Sequence, residues 1–199
     1  MSKIFRNPFS AIEITTDTRL RVKGEEDKGD KTVDAKHHHV RYVIGESNEK
    51  RFVDSGGDQV EEVKERTVYL APSIHKMRDD PFHYDRSLVQ RIQGEDQLKR
   101  IRELDRIDHC KEHEMVEVVF ESAGVECCAM TKEDADKHQV PLQYIAGYLL
   151  GKSDGLVKIG RSKTQLDSGE AYYEHINIIP QAVVREMICL EQSEHNMES

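Results

Sequence analysis

The stretch Tyr144-Ile145-Ala146-Gly147-Tyr148-Leu149-Leu150-Gly151-Lys152-Ser153-Asp154-Gly155-Leu156-Val157-Lys158-Ile159-Gly160-Arg161 decides the fold. Ile145 to Leu150 is a short apolar run bounded by Gly151, the length and composition of a strand. Lys152-Ser153-Asp154-Gly155 is a turn. Asp-Gly suits a two-residue hairpin loop because both central residues there take positive φ. Leu156 to Arg161 then returns as the second arm of a hairpin.

Working outward, Thr164 to Glu170 is a polar turn around Gly169, and His175-Ile176-Asn177-Ile178-Ile179 is a strand stopped by Pro180. Proline cannot donate to a ladder, so the chain breaks or turns a corner there. Gln181-Ala182 reverses it into Val183 to Leu190, the last strand. Upstream, Val116-Glu117-Val118-Val119-Phe120 is a strand. Thr131 to Lys137 reads as a one- or two-turn helix, with Thr131 as N-cap and Asp134 three residues on. Five short strands between residues 113 and 192 predict a small five-stranded barrel that closes its own edges. SH3-like barrels use such a proline corner before their last strand.

Residues 1–84 form a strand- and loop-rich region. Ile12-Glu13-Ile14-Thr15-Thr16 alternates and is rich in β-branched residues, Leu20-Arg21-Val22 continues it, and His38 to Ile44, Phe52-Val53 and Thr67 to Leu70 are further strands. Gly24 to Lys36 is polar loop, and Ser55-Gly56-Gly57-Asp58 is a turn. Residues 85–112 read as an amphipathic helix capped by Asp85, with Leu88, Val89, Ile92, Leu98, Ile101, Leu104 and Ile107 at three- and four-residue steps. Residues 193–199 read as a disordered tail. The expected class is therefore α+β and mainly β: an SH3/Sm-like barrel over 113–192, preceded by the helix and the strand-containing region.

The 199 residues carry 29 basic and 38 acidic side chains, a net charge of -9, and only 37% are apolar against 34% charged. Residues 1–114 are nearly charge-balanced, while 115–192 are acid-rich. The charge argues against wholesale wrapping by nucleic acid, whose affinity comes from cations at phosphates. The thin apolar content motivates burial against a partner. No eighteen-residue apolar run is present, so no membrane-spanning helix is expected. The start has no long apolar segment behind its positive charges, so a secretory signal is not expected. Of the four cysteines, Cys127 and Cys128 are adjacent and would point to opposite faces of a strand. Reduced thiols and a cytoplasmic location are the expectation, with a virion as the other possibility.

Val116–Phe120, Tyr144–Leu150, Leu156–Arg161 and the Ile178-Ile179-Pro180 corner before Val184, Ile188 and Leu190 together resemble a group of small uncharacterised phage and prophage proteins. Members run from an apolar strand through a short acidic helix, a proline-containing link (here Pro141), a Gly-aromatic-Leu-Leu strand and a hairpin to an Ile-Pro corner. The resemblance covers residues 115–191 only. It implies an SH3- or Sm-like barrel encoded by a mobile element, and no activity. The long N-terminal extension departs from the short members.

Chemistry-bearing residues are sparse. His109 and His113 share a face if the helix continues, and with Cys127 or Cys128 they are the candidate zinc ligands. Their spacing matches no recognised zinc pattern, so structural roles are the plainer account. His37-His38-His39 reads as a polar strand end, with His37 and His39 on one face. Phosphate loops, dinucleotide-binding glycines and nucleophile elbows are missing. Arg100, Arg102 and Arg106 are the candidate phosphate contacts, although interleaved acids favour pairing within the helix. Tyr172, Tyr173 and Tyr148 are the candidate partner-binding residues, and Leu98, Ile101 and Leu104 the candidate oligomer helix.

The expected function is a non-enzymatic interaction or assembly protein that needs no cofactor and binds a protein partner or itself. A nucleic-acid or nucleotide ligand is the alternative, and a metal-assisted hydrolase the third reading.

Overall fold

The computed structural model describes residues 7–22, 31–54, 60–77, 81–107, 115–122, 131–133 and 140–193. Twelve strands follow in chain order: β1 (Ala11–Val22), β2 (Lys31–Asp54), β3 (Val60–Ala71), β4 (Ile74–Lys76), β5 (Phe82–His83), β6 (Gln90–Gln93), β7 (Ile101–Ile107), β8 (Met115–Glu121), β9 (Leu142–Ser153), β10 (Leu156–Leu166), β11 (Ala171–Pro180) and β12 (Val184–Gln192). The one α-helix with described ends, α1 (Glu95–Leu98), is four residues long.

All pairings are antiparallel, and seven strands close on themselves in the order β1, β7, β12, β8, β9, β10, β2. Closure depends on β10. Leu156 to Gly160 pair with β9, and Ser162 to Leu166 pair with β2, while β11 lies along the other edge. The remaining strands build outward: β3 on β2, β6 on β3, β4 on β9 and β5 on β4.

The ring corrects the expected five-stranded barrel. The five C-terminal strands exist, but β11 lies outside the ring, which β1, β2 and β7 complete from the first part of the chain. The helix expected over 85–112 is also absent from its described part, residues 85–107. Asp85 does cap a turn, its Oδ1 accepting from the Ser87 backbone N–H at 2.9 Å, but this is a three-residue 3-10 turn, Arg86–Leu88. Strand β6, Gly94 at φ 85°, α1 and strand β7 follow.

The reason for the misread period is visible in β7. Leu104 joins the cluster inside the ring, and Ile101 joins a cluster on its outer face. A strand covered on both faces buries residues of both parities, and a step of three then imitates a helix.

Three apolar clusters hold the layers. Ala11, Val40, Tyr42, Leu104, Val119, Tyr144, Ala146, Tyr148 and Leu190 come from six of the seven ring strands, so this cluster fills the interior. Ile12 and Ile14 pack outward under Val68, Leu70 and Ile92 of the β3–β6 flap. Val116, Val118 and Ile145 pack outward under Val157, Ile159 and Ile179. Each buried isoleucine contributes about 1.5–3 kcal/mol. Cys189 lies in this last cluster and is disulfide-bonded, which corrects the expectation of reduced thiols. Among the described residues no helix is long and apolar enough to cross a membrane.

The sequence-read hairpin is present: Asp154 (φ 55°) and Gly155 (φ 72°) form its two-residue loop between Ser153 and Leu156. Pro180 ends β11, and a 3-10 turn over Gln181–Val183 leads into β12. The Gln181 N–H donates to the Gly155 carbonyl at 2.7 Å, tying the corner to the hairpin loop.

Where β10 passes over β9, Gly147 leaves no room for a side chain. A Cβ there would stand 2.5 Å from the Gly160 carbonyl oxygen and 2.7 Å from Ile159 Cγ2. Gly147→Ala is therefore expected to destabilise the fold by about 1–3 kcal/mol in chemical denaturation. Gly45→Ala, where a Cβ meets nothing within 4 Å, is the control, expected to stay within about 0.5 kcal/mol of the parent.

Candidate functional site

Two acidic residues point into the ring, because β1 and β8 alternate and the interior parity falls on Glu13 and Glu117. Both are buried, at 5% and 1% exposure. Each is surrounded by donors from distant parts of the chain.

At Glu13, the Tyr148 hydroxyl donates to Oε1 at 2.6 Å and the Gln192 amide donates to Oε2 at 2.8 Å. His38 Nδ1 stands 3.5 Å from Oε1 and 3.1 Å from the Thr15 hydroxyl. Arg102 donates to the Gln192 carbonyl oxygen at 3.1 Å, extending the chain to the surface. Burial alone would raise the Glu13 carboxyl. The hydrogen bonds from His38 and Tyr148, the His38 charge and Gln192 outweigh it and hold the group below its ordinary value of 4.5. The Tyr148 ring is flanked by Tyr173 at 5.9 Å and by the Lys163 ammonium at 5.6 Å.

At Glu117, Arg106 makes a forked pair, Nε to Oε1 at 3.1 Å and Nη2 to Oε2 at 3.0 Å. Asn7 adds a third donor at 3.2 Å. Arg106 also donates to the Phe9 carbonyl at 2.9 Å, so it pins the segment before β1. Burial opposes the charged guanidinium, but Glu117 outweighs it and raises the Arg106 pKa. The Tyr42 hydroxyl is fully buried, with Glu117 and Asn7 as its polar neighbours. Burial, and then the Glu117 charge, push its pKa well up.

A third polar assembly lies on the outer face of β2, β10 and β11. The His37 and His39 rings meet edge-on at 4.1 Å. His37 Nδ1 is 2.6 Å from the Thr164 hydroxyl, and Arg41 Nη2 is 3.3 Å from His39 Nδ1. Burial first, then the charges of His37, Arg41, His175 and His38, drive His39 down to about 3, so it is neutral at physiological pH. His37 is lowered by burial and by its cationic neighbours, and Glu174 partly offsets this.

The residues singled out from sequence are scattered by this fold. Tyr148 is inside the ring, Tyr173 is half-buried against it, and Tyr172 is exposed, donating to Glu170 at 2.7 Å. Leu98 packs beside the outer cluster of Ile101, while Leu104 is inside, so the three share no oligomer face. Arg100 pairs with Asp17 at 3.2 Å, Arg102 with Gln192 and Arg106 with Glu117. His109, His113, Cys127 and Cys128 lie outside the described residues. Among the described residues no three His, Cys, Asp or Glu side chains are grouped to hold a metal.

Sequence reasoning passed over Glu13 and Glu117. Their signal is an acid flanked by two aliphatics, in Ile12-Glu13-Ile14 and Val116-Glu117-Val118. The usual reading of that pattern places the acid in solvent. It is wrong here because a covering layer buries the aliphatics on the outside. Comparison of the chain with family models, with curated proteins and with solved structures finds no match.

Tyr148→Phe removes a donor from a buried carboxylate, and is expected to cost about 1–3 kcal/mol in urea unfolding at pH 7. Because the Glu13 carboxyl is lowered in the fold, its stabilisation is present above 4.5 and is lost as pH falls through the folded value. The unfolding midpoint should therefore fall less steeply between neutral pH and pH 3 in Tyr148→Phe than in the parent chain.

Proposed function

We propose that the chain is a non-enzymatic interaction protein whose partner is a second copy of itself, joined along the free edge and exposed apolar face of β11. The observation that carries this reading is the state of that strand. Among the described residues β11 pairs only with β10, so one row of its backbone donors and acceptors faces away from the described sheet. Ile176 is 50% exposed, Ile178 is 60% exposed, and Tyr172 shares their parity and is exposed as well.

Edge strands are normally guarded by charges, prolines or irregularities. β11 has Pro180 at its end and His175 in a left-handed conformation (φ 53°) near its middle. Between these two interruptions runs Ile176-Asn177-Ile178-Ile179, without a charge. An antiparallel edge can meet its own copy across a twofold axis, each copy supplying the same residues. Pairing of this kind would cover both isoleucines and extend the sheet across the dimer.

Arg100, Arg102 and Arg106 would be the phosphate contacts of a nucleic-acid binder. They are engaged by Asp17, Gln192 and Glu117, which favours the protein-partner reading.

Light scattering on purified full-length chain is expected to show a dimer of the 22.9 kDa chain. Ile176→Lys with Ile178→Lys alters two exposed side chains, and should give a monomer with an unchanged circular dichroism spectrum. A parent chain that stays monomeric at high micromolar concentration overturns the reading, as does a double variant that dimerises unchanged.

A further inference from the structure

The ring closes along one short seam, and three histidines stand on it. β10 meets β2 through five residue pairs, among them Ser162 opposite His39, Lys163 opposite His38 and Thr164 opposite His37. The three imidazoles alternate across the sheet. His38 faces the interior, where its Nδ1 stands 3.5 Å from Glu13 Oε1. A proton on His38 therefore has a carboxylate beside it.

His37 and His39 lie on the outer face without such a partner. Their rings meet edge-on at 4.1 Å, and His37 Nδ1 is 2.6 Å from the Thr164 hydroxyl. His39 Nδ1 is 3.3 Å from Arg41 Nη2. A guanidinium only donates, so this ring nitrogen accepts and carries no proton. A proton placed on it would break the bond and set two cations against each other.

The strands packed around the pair do little to offset this. β1 sets Thr16 opposite His37 and Ile14 opposite His39, and β10 sets Thr164 and Ser162 there, so neither brings a charge opposite the two rings. His38 and Arg41 act on both rings from β2, and His175 acts on both from β11. Glu174, also on β11, acts on His37 and is the one acid among these groups. Burial and the cationic neighbours hold His39 at about 3 and His37 below 6.5 in the fold. The unfolded chain takes up the same protons near 6.5. The stability that the neutral rings confer is therefore complete above that pH and is lost as pH falls toward the folded values.

We propose that His37 and His39 make the β2–β10 seam an acid-sensitive clasp, in which neutral rings hold the ring of strands closed and a proton on either one parts β10 from β2. β10 keeps its pairing with β9 through Leu156 to Gly160, and with β11, so the seam parts without unfolding the remainder.

Hydrogen exchange of the full chain at pH 7.5 and pH 5.0, corrected for the intrinsic pH dependence of exchange, reads each seam separately. The Glu13 carboxylate, held below 4.5, is still charged at pH 5.0. Amides bonded between β2 and β10 are expected to lose about tenfold more protection at pH 5.0 than those between β8 and β12, where no histidine stands. His37→Gln with His39→Gln should abolish the difference. His75 on β4 is also lowered by burial, and His75→Gln should leave the difference unchanged. Histidine NMR titration of the parent chain gives a readout that does not depend on the double variant folding: His39 should titrate well below 6.5. Glu174→Gln, at an exposed side chain, should lower His37 further. Equal loss at both seams, or no loss between β2 and β10, overturns the clasp. So does ordinary titration of both histidines, or a difference that persists in the double variant. The seam lies within one chain, so the same response is expected in Ile176→Lys with Ile178→Lys. A response confined to a dimeric parent chain also overturns the clasp.

Discussion

Everything in this fold depends on a strand that serves two neighbours in turn. β10 leaves β9 after Gly160 and joins β2 from Ser162 onward, and the ring has no other closure. The handover demands close passage of backbones, and glycine at 147 makes that passage possible. It also fixes what lies on either side. Before the handover, Val157 and Ile159 cover the outer face of β8 and β9. After it, Ser162 and Thr164 lie against the histidines of β2. The apolar and polar halves of the outer surface are thus two halves of one strand.

The two interior carboxylates give the ring its register. Glu13 on β1 is held by Tyr148, 135 positions away, and by Gln192, 179 positions away. Glu117 is held by Arg106 and Asn7, and Arg106 reaches on to Phe9. A slip of one residue in β1 or β8 would turn the carboxylate to the other face and strand its donors inside. Buried ion pairs add little net stability against apolar replacements, because desolvation offsets their attraction. Their contribution here is to penalise wrong pairings. That matters in a sheet where strands from the two ends of the chain must find each other before the ring can close.

Much of the local structure was legible in the sequence. Asp154-Gly155 named its own turn, Pro180 its corner, and β-branched alternation marked β1, β2 and β3. Ring membership was not legible, because it depends on pairings between segments far apart in the chain: β1 with β7, β7 with β12, and β2 with β10. The Ile101 to Ile107 segment shows the limit. Its apolar spacing fits a helix and a two-face-buried strand equally well, and only the presence of an outer layer decides between them. Among site residues, His37 and His39 were placed correctly on a common face from alternation alone. Glu13 and Glu117 were not found, since each is unremarkable in its own segment and gains meaning only once both faces of its strand are covered.

The filled interior also constrains what the protein does. Tyr42, Tyr144 and Tyr148 occupy the ring together with the paired carboxylates, so the proposed self-pairing uses the outside of the ring. There the strands divide the work by position. β11, at the sheet edge, presents backbone and isoleucines, features suited to another strand. The neighbouring crossing of β2 and β10 carries a half-buried polar layer, in which His37 meets the Thr164 hydroxyl and the His39 ring. Both surfaces rest on β10, which pairs with β2 along its Ser162 to Leu166 half and with β11 along nearly its whole length, so the edge strand is held in place by the strand that closes the ring.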